Sequence, residues 1–356
     1  MKIVLATGGT GGHLFPALAT AKELTAVGHR VIFCGDFKKN QGLIEEQGYT
    51  VIRIDSKGIT SLNPVKIFLA LFNSFTAVFR ALKHLYGIKP DVVCGFGCYS
   101  AFPIVLAAIV LRIPCIIHEQ NVQPGKANKL LAFFVSKIAV SFVQSRQFFP
   151  EGKTVFTGCP ITLEIPAKNK TDLLKEYGLK SEFKTILVFG GSQGSQKFNR
   201  DLVDILVQSR NKYEFQVIHL SGYKDLETVK EKYSRSGITA QVFDFSTKMG
   251  ELYTMADLVI GRSGAMTVFE LAMFKKAAIL IPYPHAGGHQ IYNAQVLEQS
   301  GAAKLVEDKY FSSGEVSSAV EGFLNGTSIL ADKTVDSDIY QPDAAKQLAR
   351  EIFVCR

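Results

Sequence analysis

The residues best placed to do chemistry sit where apolar runs give way to helix-period segments. Gly8-Gly9-Thr10-Gly11-Gly12-His13 follows Ile3-Val4-Leu5-Ala6 and leads into the segment 14–27. A glycine-rich turn of this kind presents backbone N–H groups to an anion at a helix start. His13 closes the turn; an imidazole titrates near neutrality and can take a proton from a bound hydroxyl, although a lone histidine there also serves as a plain cap. His118-Glu119-Gln120-Asn121 ends the run Cys115-Ile116-Ile117 with four hydrogen-bonding side chains, more than a simple turn needs. Arg262-Ser263-Gly264-Ala265-Met266-Thr267 turns another apolar run into a helix whose first amides and dipole suit a diphosphate. Glu270, a turn further on, is either a merely exposed helix residue or an acceptor for both hydroxyls of a ribose. Gln290 and Asn293 stand three apart on one helix face and offer the neutral donors and acceptors that sugar hydroxyls require. His285 and His289 have the i, i+4 spacing of metal ligands. Gly287 and Gly288 argue against a helix between them and no third ligand is near, so neither a metal nor another cofactor is expected.

The elements that must hold these residues are short apolar strands alternating with longer helices. This pattern defines an α/β chain with doubly wound parallel sheets. Candidate strands in the first half are Ile3–Thr7, Val31–Gly35, Val51–Ile54, Val92–Gly95, Pro114–His118, Ile138–Phe142 and Thr154–Thr157. A second glycine-rich turn, Gly95-Phe96-Gly97-Cys98-Tyr99-Ser100, follows the fourth of them. The pattern restarts after Gly158-Cys159-Pro160, with strands at Thr185–Phe189, Phe215–Leu220, Thr239–Phe243, Leu258–Ile260 and Ala278–Ile281, and Gly190-Gly191-Ser192-Gln193-Gly194-Ser195 closing the first of these. Two domains follow, 1–159 and 160–341, with an amphipathic helix at about 342–356 expected to pack back on the first. Asp36, at the end of the second strand, suggests a dinucleotide site, but the third glycine of that fingerprint falls on Leu14 and the reading fails. Asp336-x-Asp338 follows no strand and reads as a loop.

Composition narrows the partners. A net charge of +8 favours anionic ligands, yet the basic residues are scattered and zinc-finger spacing is absent, which argues against nucleic acid. The six cysteines fall mostly in or beside apolar runs and never as Cys-x-x-Cys, as expected for reduced thiols in the cytoplasm. Met1-Lys2 leads straight into a strand, so no signal peptide is expected, and no apolar segment reaches the ~20 residues of a membrane span. The segment 64–86 is apolar on every side, with Ile67, Phe68, Leu71, Phe72, Phe75 and Phe79 bracketed by Lys66, Arg80, Lys83 and His84. It is either a buried helix or one lying in an anionic membrane interface.

Taken together and in this order, Gly8–His13, His118–Asn121, Gly190–Gly194, Arg262–Glu270 and Gln290–Ala294 resemble one family across nearly the whole chain. It is the peptidoglycan glycosyltransferases that add N-acetylglucosamine to undecaprenyl-diphospho-muramoyl-pentapeptide, turning lipid I into lipid II. The resemblance implies two Rossmann-like domains facing across a cleft, the GT-B type. It also implies a peripheral enzyme on the anionic cytoplasmic face of the plasma membrane, the inner membrane where there are two. UDP-N-acetylglucosamine would bind chiefly the second domain and the lipid acceptor the first. By matching motif, Ser192 and Gln193 lie near the nucleotide, Ala265–Thr267 cover the diphosphate and sugar with Arg262, Ser263 and Gly264 also in the substrate-binding set, Glu270 holds the ribose, and Gln290 and Asn293 read the N-acetylglucosamine. Thr10, Gly11, Gly12 and Asn121 approach from the first domain, and Ser246 and Thr162 join the substrate-binding set. The chain departs from the family at Cys159-Pro160-Ile161-Thr162, where Asn-Pro-Val-Arg is common, so either another cation such as Arg262 or Lys197 replaces that arginine or donor affinity is weaker. It departs again at Cys98, where a glycine is usual.

The chemistry implied is a single inverting displacement, with the helix start at Ser263–Thr267 stabilising the departing UDP. His13 is the candidate base for the muramoyl 4-hydroxyl, and Glu119 is its alternative or its orienter. Competing readings are a UDP-sugar 2-epimerase, a diacylglycerol glycosyltransferase, or a non-catalytic membrane scaffold.

Overall fold

A computed structural model describes the chain except residues 38–39, 57–63, 192–195, 285–287, 312–313, 328–338 and 356, with backbone alone for 64–72 and 197. The chain forms two compact units: Met1–Thr162 with Gln341–Arg356, and Leu163–Tyr340.

The first unit holds seven strands, β1 (Lys2–Gly8), β2 (Arg30–Asp36), β3 (Thr50–Arg53), β4 (Val92–Gly95), β5 (Cys115–Glu119), β6 (Lys137–Val140) and β7 (Thr154–Phe156). They form one parallel sheet in the order β3-β2-β1-β4-β5-β6-β7. Side chains alternate between faces, so Val4 and Ala6 pack on one layer with Ala77, Ala81, Leu85 and Ile104, while Ile3 and Leu5 pack on the other with Leu14, Ala17, Leu348 and Ile352. Both faces are covered, which is why these strands read as unbroken apolar runs. The helix Ala344–Val354 supplies Leu348 and Ile352, lying against the helix Gly11–Ala26. Strand order reverses between β1 and β4. Parallel sheets bind ligands beyond the carboxyl ends of the strands at such a point, and there the turns Gly8–Gly12 and Gly95–Ser100 emerge.

The second unit repeats the plan with β8 (Lys184–Phe189), β9 (Phe215–Leu220), β10 (Thr239–Phe243), β11 (Leu258–Gly261), β12 (Ala277–Leu280) and β13 (Ala303–Leu305). Its parallel order is β10-β9-β8-β11-β12-β13, with the reversal between β8 and β11. Five of these strands coincide with apolar runs. β13 does not: its three residues, Ala-Lys-Leu, carry an exposed lysine at the centre and offer no run to recognise.

The segment 64–86 forms the helix Pro64–Ile88, which is neither wholly buried nor wholly exposed over its described side chains. Over its described side chains, Ala77, Ala81 and Leu85 are fully buried against the sheet, at the i, i+4 spacing of one helix face. Phe75 and Phe79 turn outward, 61% and 56% exposed, with their rings edge to face at 4.8 Å. The side chains of Ile67, Phe68, Leu71 and Phe72 lie outside the described residues. Among the described residues no helix is long and apolar enough to cross a membrane.

Candidate functional site

In the first unit, chemistry collects beyond β1, β4 and β5. Thr10 takes an extended backbone and starts the helix Gly11–Ala26; His13 and Leu14 donate their amides to its carbonyl at 3.1 and 3.0 Å. The amides of Gly11 and Gly12 precede that first helical bond and so belong to the set a helix start offers to a ligand. The His13 ring is half-buried, one turn in, with Nδ1 3.1 Å from Gln120 Oε1. Burial holds His13 below the ordinary imidazole range. The Glu119 charge, the hydrogen bond to Gln120 and, more weakly, the nearby Phe96 carbonyl pull it partly back.

Glu119 is almost fully buried and, among the described residues, forms no ion pair. Its Oε1 accepts from the Asn121 backbone and side-chain amides at 3.0 and 3.1 Å, and its Oε2 accepts from Gly125 N–H at 3.1 Å and Asn128 Nδ2 at 2.9 Å. Four donors occupy its two oxygens, so the carboxylate braces the loop 119–128 and acts on His13 through its charge. Asn121 is held by that same brace. The group bonded to His13 is Gln120, a residue the sequence placed in the cluster without giving it this part. The signal was available: side chains alternate along an extended chain, so His118 and Gln120 share one face and Glu119 takes the other. Gly97 lets the cluster close. With φ +65° it already favours glycine, and a Cβ there would lie 2.9 Å from Asn128 Nδ2 and 3.2 Å from Gln120 Oε1.

In the second unit, the matching position is the turn after β11. Ser263 is fully buried and donates to the Gln290 carbonyl at 2.8 Å. Gly264 starts the helix Ala265–Met273, whose first internal bond runs from Val268 N–H to the Gly264 carbonyl at 3.2 Å. The amides of Ala265, Met266 and Thr267 therefore lie at the positive end of the helix dipole. Glu270 follows one turn later, half-buried, its Oε2 accepting from the Tyr253 hydroxyl at 2.8 Å. Burial pushes its carboxyl up to about 7, and the Tyr253 bond works against that rise. Tyr253 is fully buried from the helix Met249–Met255, stacked on Phe274 at 5.2 Å. Nothing in the pattern of residues hints at its contact with Glu270, seventeen positions later, which depends on how the helices Met249–Met255 and Ala265–Met273 pack. Gln290 and Asn293 brace the same turn, Gln290 Oε1 accepting from Tyr283 N–H at 2.9 Å and Asn293 Nδ2 donating to the Ser263 carbonyl at 3.3 Å. Ser246 is half-buried and accepts from Lys248 N–H at 3.0 Å.

Arg262 is not a free cation. Its side chain is 8% exposed, and Nη1 donates to Asp308 at 2.6 Å and to the carbonyls of Ile281 and Pro282 at 3.1 and 3.2 Å. The guanidinium is further enclosed between the rings of Phe198 and Tyr283. It ties the loops after β11 and β12 to Asp308, a structural load that leaves it poorly suited to replace a linker arginine. Thr162 is exposed and in no regular element. Ser192, Gln193, His285 and the Asp336-x-Asp338 pair lie outside the described residues, as does the Lys197 side chain.

Two Rossmann-like units, each carrying a helix start at its sheet's reversal point, are the arrangement of the GT-B fold. The model of the glycosyltransferase family 28 N-terminal domain matches residues 3–140, and that of its C-terminal domain matches residues 185–348. The chain belongs to glycosyltransferase family 28. A UDP-N-acetylglucosamine–N-acetylmuramyl-(pentapeptide) pyrophosphoryl-undecaprenol N-acetylglucosamine transferase of Myxococcus xanthus is 35% identical, covering 98% of this chain and 91% of that protein. Its counterpart in Halothermothrix orenii is 36% identical, covering 91% of each. Among solved structures, Acinetobacter baumannii MurG superposes with a TM-score of 0.79 at 29% identity over 99% of both chains. A UDP-GlcNAc 2-epimerase from Neisseria meningitidis shares the fold, at TM-score 0.72 and 13% identity over 99% of this chain and 100% of that one.

Proposed function

We propose that this protein moves N-acetylglucosamine from UDP-N-acetylglucosamine to the muramoyl 4-hydroxyl of undecaprenyl-diphospho-muramoyl-pentapeptide, giving lipid II with inversion at the anomeric carbon. The observation that carries the reading is similarity over nearly the full length to transferases bearing that name, at 35–36% identity.

On this reading each group has a part. The acceptor hydroxyl loses its proton to His13 as its oxygen attacks the anomeric carbon, and the bond from that carbon to the UDP oxygen breaks. General-base assistance of this kind contributes typically ~10² to 10⁴ in rate. Glu119, charged and fixed, stabilises the imidazolium that results. Negative charge accumulating on UDP meets the first-turn amides of Ala265, Met266 and Thr267, already oriented before the reaction begins. The Glu270 carboxylate accepts the ribose hydroxyls through its remaining lone pairs. By the matched motifs, Gln290 and Asn293 serve the sugar end, Ser192, Gln193 and Ser246 the nucleotide, and Thr10–Gly12 with Asn121 the acceptor side. The exposed Phe75 and Phe79, beside exposed Arg80 and Lys83, suit a peripheral contact with an anionic membrane on the cytoplasmic side.

The test is transfer of labelled sugar from UDP-N-acetylglucosamine to a short-chain lipid I analogue, run beside diacylglycerol and beside assay for the 2-epimer. Label in the lipid I analogue alone is expected. Label in diacylglycerol, accumulation of the epimer, or saturable UDP binding with no transfer would overturn the reading.

A further inference from the structure

A chain of hydrogen bonds in the first unit runs one way, donated from His13 through Gln120 and His118 to the Gly158 carbonyl. The Gly158 carbonyl can only accept, and it lies 3.4 Å from His118 Nε2, with Ser141 Oγ 3.0 Å from the same nitrogen. Burial pushes His118 down to about 4, so near neutrality the ring holds a single proton, which these neighbours place on Nε2. His118 Nδ1 is then an acceptor, and Gln120 Nε2 stands 3.0 Å away. The orientation of the Gln120 amide is fixed independently, because the same Nε2 lies 3.3 Å from the His118 carbonyl, which has no hydrogen to give. The other end of the amide, Oε1, must therefore face His13 Nδ1, at 3.1 Å. An amide oxygen only accepts, so Nδ1 carries the proton of the neutral His13 ring and the lone pair is left on Nε2.

We infer that Gln120 is a positioning residue for sugar transfer: with His118, Ser141 and the Gly158 carbonyl it fixes His13 in the Nδ1–H tautomer, so that Nε2 receives the acceptor's proton. The inference rests on His13 being the base, and it deepens that reading by naming the atom. The reaction balances simply. The hydroxyl O–H bond breaks and an Nε2–H bond forms, leaving an imidazolium that still donates from Nδ1 to Gln120. The groups acting on the His13 charge are Glu119, which favours it, and His118, which opposes it when protonated. A ring released from Gln120 would be free to place its proton on Nε2, the tautomer that cannot accept one there, and the wrong tautomer in a comparable base costs up to ~10⁴ in rate.

The experiment is nitrogen NMR of the full-length protein labelled with ¹⁵N-histidine, with the His13 ring assigned by its loss in His13→Gln. In wild type, His13 should show a protonated Nδ1 and an unprotonated Nε2. Gln120→Leu should move the proton toward Nε2 and lower kcat about tenfold or more, with the KM for UDP-N-acetylglucosamine unchanged. Gln120→Glu keeps an acceptor for Nδ1–H; it should retain the tautomer and shift the acid limb of the pH–rate profile upward, since the added charge favours the imidazolium. A wild-type ring protonated on Nε2 would overturn the inference whether or not Gln120→Leu folds, as would Gln120→Leu with the native tautomer and native kcat. If instead the tautomer is as described but His13→Gln turns over normally, the tautomer assignment stands and the assignment of the base fails.

Discussion

Replacing Tyr253 by Phe removes one hydroxyl and leaves a ring that still stacks on Phe274. That hydroxyl donates to Glu270 Oε2 at 2.8 Å, and a hydrogen bond to a charged group contributes ~1.5 to 3 kcal/mol. Since one pH unit corresponds to ~1.4 kcal/mol, its loss should raise the Glu270 midpoint by about 1.5 units above its present value of about 7. A ribose donates to the ionised carboxylate, so UDP affinity falls as pH drops through the midpoint, and the variant should suffer first. Titration calorimetry with UDP should find the variant weaker by ~30-fold near pH 6, ~8-fold near pH 7.5 and under ~2-fold near pH 9. The changing ratio is the diagnostic quantity. A ratio that stays constant across this range would mean that Glu270 does not bind as a carboxylate tuned by Tyr253, and a ratio near one throughout would remove Tyr253 from the site altogether.

Further tests address other parts of the molecule. Phe75→Glu with Phe79→Glu should weaken sedimentation with anionic vesicles by ~10²-fold or more, at ~1.5 to 3 kcal/mol for each aromatic side chain taken out of water, without lowering Tm; unchanged sedimentation would place the membrane contact elsewhere. Arg262→Leu should cost the second unit ~3 to 5 kcal/mol in denaturant unfolding, because Asp308 and two carbonyls lose a buried partner. Unchanged stability with weakened UDP binding would instead make Arg262 a ligand contact. His118 and His219 are fully buried and held down to about 4 and about 3 against an ordinary 6.5, so the unfolded chain takes up more protons between those values. The stability they contribute is whole above about pH 6.5 and should be lost progressively as pH falls toward 4, and His219→Asn should flatten that dependence.

Much of the architecture was legible because parallel strands covered on both faces leave an unmistakable trace. Seven apolar runs in the first half and five in the second mark twelve of the thirteen strands, and the glycine turns mark the reversal points of both sheets. What escaped were contacts decided by packing. Tyr253 meets Glu270 only because two helices lie side by side. Arg262 reads as an available cation until Asp308, forty-six residues later, is seen to hold it. Gln120 was visible as part of a polar cluster, but its bond to His13 crosses 107 residues of sequence and could be anticipated only by asking which side chains of the loop share a face. The helix Pro64–Ile88 defeated a choice between buried and membrane-facing because its described half buries one face and leaves Phe75 and Phe79 exposed on another.

All six cysteines fall in Met1–Thr162 and Gln341–Arg356, and Leu163–Tyr340 has none. Five of the six are buried, and burial pushes Cys34 and Cys115 up to about 12, far from the thiolate form that reacts. An alkylating reagent added to the native protein can meet half-buried Cys98 directly, but it must wait for the first unit to open before it reaches the other five, while Leu163–Tyr340 stays silent. The chain thus carries its own clock for the excursions of one lobe, readable by mass spectrometry without any added label on the other.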